Sequence, residues 1–190
     1  ESLSRMVPHR VARRGMVRTF QLTKALSKLS VLDNVKLGAT DQRGEHFLSA
    51  LAPWTWRKQE REITERAHEV LARFKLDAKA GDLAGSLSGG QRKLLEMARA
   101  LMTDPKIVML DEPCSGLDPI STLKIEQALQ SLKERYTMIL VSHNVQQASR
   151  ATDRVAFVLM GELVEWRPTA EMFTTPRDQR TADFIQGRFG

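Results

Sequence analysis

Cysteine occurs once in the 190 residues, at Cys114, which excludes a disulfide framework and leaves too few thiolates for a zinc cluster. Long apolar runs are missing too. The longest cover only a few residues, far short of a membrane span. The first residues are charged and polar where a secretory leader would be apolar, so no signal peptide is expected. Neither an internal repeat nor a low-complexity tract is visible. These absences predict a soluble, cytosolic protein. What is present is ordinary globular material: 42% hydrophobic and 27% charged residues, enough for one domain with a sizeable core.

Charge imbalance is confined to one stretch. Residues 1–30 carry Arg5, Arg10, Arg13, Arg14, Arg18, Lys24 and Lys28 against Glu1 alone, which is the whole of the +6 excess. A basic segment could touch nucleic acid or anionic lipid. No aromatic interleaving or nucleic-acid motif accompanies it, so a solvated basic face accounts for it and no nucleic-acid partner is expected.

Along the chain, residues 1–30 read as a short basic helix followed by an extended passage around Met16–Gln21. Asp33 and Asn34 mark the start of a short helix. Residues 38–57, with Gly38, Gly44, Pro53, Trp54 and Trp56, read as a loop-rich insertion. From Lys58 to Phe74, the positions Ile63, Ala67, Val70, Leu71 and Phe74 follow helical spacing. Three short apolar runs then alternate with helices: Ile107–Leu110, Met138–Val141 and Val155–Met160. Such runs fit strands buried on both faces of a parallel sheet, so the fold class expected is α/β. A helix from Pro119 to about Arg135 separates the first two, with Asp118 as its N-cap and Pro119 at its first position. Gly161 turns the last run into a returning strand, Leu163–Trp166.

Three places carry chemistry. Leu87-Ser88-Gly89-Gly90-Gln91 opens a helix: Ser88 and Gln91 fit a capping box, and two glycines there let an anion approach free backbone N–H groups. Ile107–Leu110 runs into Asp111 and Glu112, placing two carboxylates at the carboxyl edge of a sheet, where ligands of open α/β folds bind. Asp111 would hold Mg²⁺ through a water, and Glu112 would orient or deprotonate an attacking water. His143, just after Met138–Val141, can bond a phosphate oxygen and position water.

The order Gln21, Leu87–Gln91, Ile107–Glu112, Ser115-Gly116-Leu117-Asp118 and His143 resembles the ATP-binding subunit of ABC transporters. These match, in turn, the family's Q-loop, signature motif, Walker B strand, D-loop and switch histidine, and the resemblance extends over essentially the whole chain. It implies a P-loop NTPase core with a helical subdomain, and ATP and Mg²⁺ as cofactors. By that resemblance Gln21 senses Mg²⁺ and the attacking water while linking to a membrane subunit. Ser88, Gly89 and Gly90 bind the γ-phosphate of ATP held by the opposite protomer, and Asp118 couples the two sites of a dimer. The implied divisions are 1–37, a core remnant with the Q-loop; 38–90, the helical subdomain ending in the signature motif; 91–166, the α/β core; and 167–190, a C-terminal tail. Implied partners are a second protomer, transmembrane permease subunits and, indirectly, a substrate-binding protein. The implied place is peripheral, on the cytoplasmic face of the membrane.

One family element has no counterpart. No Gly-x-x-x-x-Gly-Lys-Ser/Thr occurs in the 190 residues, so the P-loop cradle and its phosphate lysine are missing from them. The fold expected is therefore an incomplete P-loop NTPase, unable by itself to bind ATP tightly or hydrolyse it.

Two subfamilies are mixed. Gly15–Gln21, the Trp54/Trp56 insertion and Gln91–Glu96 resemble branched-chain amino-acid importers. Cys114 onward, Ser142–Ala148 and the ending Asp183–Gly190 resemble phosphate importers. The longer C-terminal matches make inorganic phosphate the expected cargo, with branched-chain amino acids or a catalytically dead binding domain as alternatives. An ABC-type ATPase acting on DNA or ribosomes has only the basic first thirty residues behind it. Trp54, Trp56 and the helix from Lys58 fit either a membrane-partner surface or simple core packing.

Overall fold

A computed structural model describes residues 6–18, 26–40 and 53–188, in two compact units that divide at Ile139/Leu140. In the first unit, helix α1 (Pro8–Arg13) leads into strand β1 (Met16–Arg18). Helix α2 (Val31–Lys36) starts earlier than Asp33 because Ser30 is its cap, accepting the Asp33 N–H at 3.0 Å. Helix α3 (Pro53–Arg73) also starts earlier than the spacing predicts. Pro53 suits a first helical position, which takes Trp54 and Trp56 out of the predicted loop. Helix α4 (Gly89–Leu101), strand β2 (Ile107–Asp111) and helix α5 (Pro119–Leu132) follow.

Apolar faces of α2, α3 and α4 meet in one core built on Val31, Val35, Ala67, Leu71, Leu95 and Ala98, all essentially sealed from solvent. The amphipathic spacing that makes these helices legible is thus the spacing of a shared interface. Helix α5 adds Ile125, Leu129 and Leu132 to the buried set. Asn34, 1% exposed, is the most deeply buried polar residue described in this unit. Its carboxamide accepts from the Leu26 N–H at 2.9 Å and donates to the carbonyls of Leu26 and Ser30 at 3.1 and 2.9 Å. Further bonds, from Val31 N to Asp82 O and from Ala84 N to Leu29 O, bind residues 26–31 to the run that leads into α4.

The expected parallel pairing is present between β1 and β2, in a three-stranded sheet of order β1-β2-β3, with β3 being Thr137–Val141. Met16, Val17 and Arg18 lie opposite Ile107, Val108 and Met109, so both strands point the same way. The strands are not buried on both faces as the apolar runs predict. In β2, Val108 and Leu110 are buried while Ile107, Met109 and Asp111 are half-exposed, and in β3 Ile139 and Val141 are open to solvent. A run of Val, Ile, Leu and Met fixes β propensity, but burial depends on what covers each face.

In the second unit, helix α6 (Val145–Ala151) precedes strands β4 (Arg154–Leu159) and β5 (Glu162–Pro168), with helices α7 (Thr169–Thr174) and α8 (Gln179–Ile185) after them. Here a second expectation fails. The Val155–Met160 run is not a third parallel strand but half of a separate two-stranded antiparallel sheet. The predicted return through Gly161 explains why. Met160 and Gly161 both take left-handed backbone, φ 51° and 84°, which closes a tight hairpin between Leu159 and Glu162. Phe157 stacks on Phe184 at 4.9 Å, and buried Glu165 accepts the N–H groups of Arg177 and Asp178. Burial alone would raise the Glu165 carboxyl's pKa; those bonds, with Arg167 nearby, outweigh it and hold it below its ordinary value.

Gly38 shows how close the helices come. A Cβ there would sit 2.1 Å from the Arg99 carbonyl oxygen and 2.9 Å from the Met102 Cβ. Gly38→Ala is expected to lower stability by about 2 kcal/mol or more through overpacking, read as a lower urea midpoint with unchanged m-value.

Candidate functional site

Helix α4 begins as the sequence predicts. Ser88 Oγ accepts the Gln91 N–H at 3.3 Å and Gln91 Oε1 accepts the Ser88 N–H at 3.0 Å, which completes the capping box. The first-turn amides of Gly89 and Gly90 have no acceptor among the described residues. Ser88 itself is exposed. An oxyanion reaching this turn would meet undonated N–H groups and the positive end of a thirteen-residue helix.

The two glycines differ in what they make room for. A Cβ on Gly90 would lie 2.8 Å from both Cβ and Oγ of Ser121, in the first turn of α5, so that space is filled by the protein itself. Gly89 has only Leu117 Cδ2 nearby, at 3.4 Å, an ordinary contact distance. Helix packing therefore requires Gly90, whereas the space beside Gly89 is not filled by a neighbouring helix.

That packing brings the Ser88–Gln91 turn beside the Cys114–Asp118 segment. Asp118 caps α5, its Oδ1 accepting the Ser121 N–H at 2.9 Å. The Ser121 hydroxyl and N–H together hold the exposed Asp118 carboxyl below its ordinary range. Gly116, with φ 72°, makes the bend between Cys114 and Asp118.

The carboxylate pair lies where the sheet argument puts it. Asp111 ends β2, and its Oδ2 accepts from Arg18 Nη2 at 2.7 Å. Glu112 follows with φ 48°, a left-handed backbone that L side chains adopt at a cost of order 1 kcal/mol. Lys75, Asp104 and Met160 share this left-handed backbone; at Glu112 it turns the chain directly after the end of β2. His143 belongs to the second unit, exposed, between Ser142 and the α6 cap Asn144. Ser142 Oγ donates to Gln147 Oε1 at 2.8 Å and accepts from the Asn144 N–H at 3.1 Å, which fixes the turn that carries the histidine. Gln21 lies outside the described residues, as does the side chain of Trp54.

Arg18 and Ser121 are the residues that sequence reading misses. In the sequence Arg18 is one basic residue among seven; only the β1–β2 register brings it to Asp111, 93 positions away.

The sequence pattern of the family described as ABC transporter matches residues 3–115, well over half of the chain. The chain belongs to the ABC transporter family. Among curated relatives, it is 50% identical over 137 residues to phosphate import ATP-binding protein PstB 1 of Bacillus licheniformis, covering 70% of this chain and 53% of that protein. It is 40% identical over 188 residues to the PstB of Shewanella denitrificans, covering 94% and 62% respectively. The chain thus spans roughly half of these relatives' length. The fold resembles a nucleotide-free ATP-binding cassette from an ABC transporter, with TM-score 0.77, 30% identity, and 97% of this chain and 73% of that one covered. A cassette in its ADP conformation gives TM-score 0.79 at 30% identity, covering 98% and 74%.

Two measurements test the site geometry. Gly90→Ala should lose about 1–2 kcal/mol in urea unfolding, whereas Gly89→Ala should be neutral or gain up to about 1 kcal/mol from helix propensity. Glu112→Gly should be more stable than Glu112→Ala by about 1 kcal/mol, since only glycine relieves the left-handed backbone; equal stabilities would contradict strain at that residue.

Proposed function

We propose that the chain is an ATP-binding and ATP-hydrolysing subunit of an ABC importer whose cargo is inorganic phosphate. The observation that carries the hydrolytic part is the end of β2: a carboxylate at the carboxyl edge of a parallel sheet, followed by a second one held in strained backbone. The identity to phosphate import proteins supports the cargo, at 40% along nearly the whole chain.

The donor set suits Mg²⁺. Among the described residues no cluster of three His, Cys, Asp or Glu side chains could hold a metal alone. Mg²⁺ characteristically takes one or two carboxylates and leaves its other positions to water and phosphate oxygens. Asp111 is that carboxylate, with Gln21 as the second contact by resemblance. When bound, the ion would offset negative charge on the transferring phosphoryl group.

The chain's own groups divide the remaining work. Glu112 orients the attacking water and takes its proton on a carboxylate oxygen. His143 bonds a phosphate oxygen. Ser88, Gly89, Gly90 and Gln91 form the turn offered to ATP held by a second protomer, with Asp118 beside it through the Gly90–Ser121 contact. Phosphoryl transfer asks chiefly for positioning and charge stabilisation, so dividing these groups between two copies makes dimer closure the step that assembles the site. In this reading residues 38–90 form the helical subdomain, which meets the permease through Trp54, Trp56 and the helix from Lys58 and ends in the signature turn, and 91–166 supply the catalytic core. Among the described residues no helix is long and apolar enough to cross a membrane, so attachment would run through permease subunits.

With no P-loop lysine or backbone cradle in its 190 residues, the chain alone is expected to show no ATP turnover. It is nonetheless expected to co-purify with detergent-solubilised permease subunits of a phosphate importer and not with those of a branched-chain amino-acid importer. The reverse preference would overturn the cargo, and turnover by the isolated chain that Glu112→Gln abolishes would overturn its inactivity.

A further inference from the structure

The Arg18–Asp111 pair joins the last residues of two adjacent parallel strands. Arg18 lies opposite Met109, so its side chain reaches two residues forward along β2 to deliver Nη2 to Asp111 Oδ2 at 2.7 Å. The arginine side chain is 59% exposed and the aspartate 25%, so solvent screens the pair and its contribution to folding is small. What the pair does is local and geometric. The carboxylate at the sheet edge already has a cation on one oxygen, held by a planar group with directed N–H bonds.

We infer that Arg18 is a positioning residue that occupies Asp111 in the metal-free chain and competes with the divalent cation for it. This rests on the metal role of Asp111 proposed above. A guanidinium at hydrogen-bond distance satisfies the carboxylate when no metal is there, fixes its rotamer, and lowers the negative potential that draws a divalent ion. Metal binding through Oδ2 then requires the Arg18 bond to loosen or shift.

The test uses the 190-residue protein and Mn²⁺ as probe, with affinity read from paramagnetic broadening of amide signals near Asp111. Arg18→Gln should bind Mn²⁺ three- to tenfold more tightly than wild type, and Arg18→Lys, which keeps the charge but loses the planar fork, should fall between them. In wild type, the chemical shift of the Arg18 guanidinium nitrogens should move between the metal-free protein and saturating Mg²⁺ as the bond to Asp111 loosens. A purely structural role would lower the melting temperature of Arg18→Gln and leave Mn²⁺ affinity alone. Unchanged or weaker affinity in Arg18→Gln, or guanidinium signals indifferent to Mg²⁺, overturns the inference while Asp111→Asn still abolishes the site. Equal Mn²⁺ binding by wild type and Asp111→Asn instead removes the metal role of Asp111, and the inference with it.

Discussion

Position 90 has no room for a side chain, because Ser121 stands 2.8 Å from where its Cβ would be. That constraint sets the distance between the first turns of α4 and α5. Each turn is capped by its own side chain, Ser88 in one and Asp118 in the other, so fixing the two helix starts fixes both caps as neighbours. The rest of α4 is held by the core it shares with α2 and α3, where Leu95, Ala98 and Leu101 are sealed. A rigid, buried helix thus presents an exposed first turn, with only the small Gly89 left beside the open amides. Anion binding at a helix start needs that combination: free N–H groups on a backbone that cannot retreat.

A second constraint works at the sheet edge. Strand β2 carries Asp111 to its end by alternation, since Val108 and Leu110 must face the core and the intervening residues cannot. Glu112 then departs from the strand in a left-handed conformation, so the two adjacent carboxylates leave the backbone in different geometries. Adjacent residues of one extended strand would point to opposite faces, and the turn at Glu112 breaks that rule. Arg18 supplies the balancing charge from the neighbouring strand.

Several of these features were legible in the residues because they are local. The Ser88–Gln91 box, the Asp118 cap with Pro119 behind it, and the Gly161 return each depend on side chains within four positions, and each stands as expected. Helix α3 was legible from its apolar spacing, except for its start, where Pro53 extends it beyond the first apolar repeat. Strand burial was not legible. The Val155–Met160 run has the composition of a parallel core strand, yet the tight turn after it commits it to an antiparallel partner. The purpose of Gly90 was not legible either, since nothing near it in sequence announces Ser121.

The amino-acid order alone carried the family resemblance, through its ordered motifs, and the α/β class and capping residues, because caps and element types follow from short-range spacing. Tertiary packing decided which glycine is dictated by a neighbouring helix, which carboxylate carries an arginine, and which apolar run leaves the parallel sheet. Each of those outcomes joins atoms from separate elements, and no local periodicity encodes the register in which two elements meet.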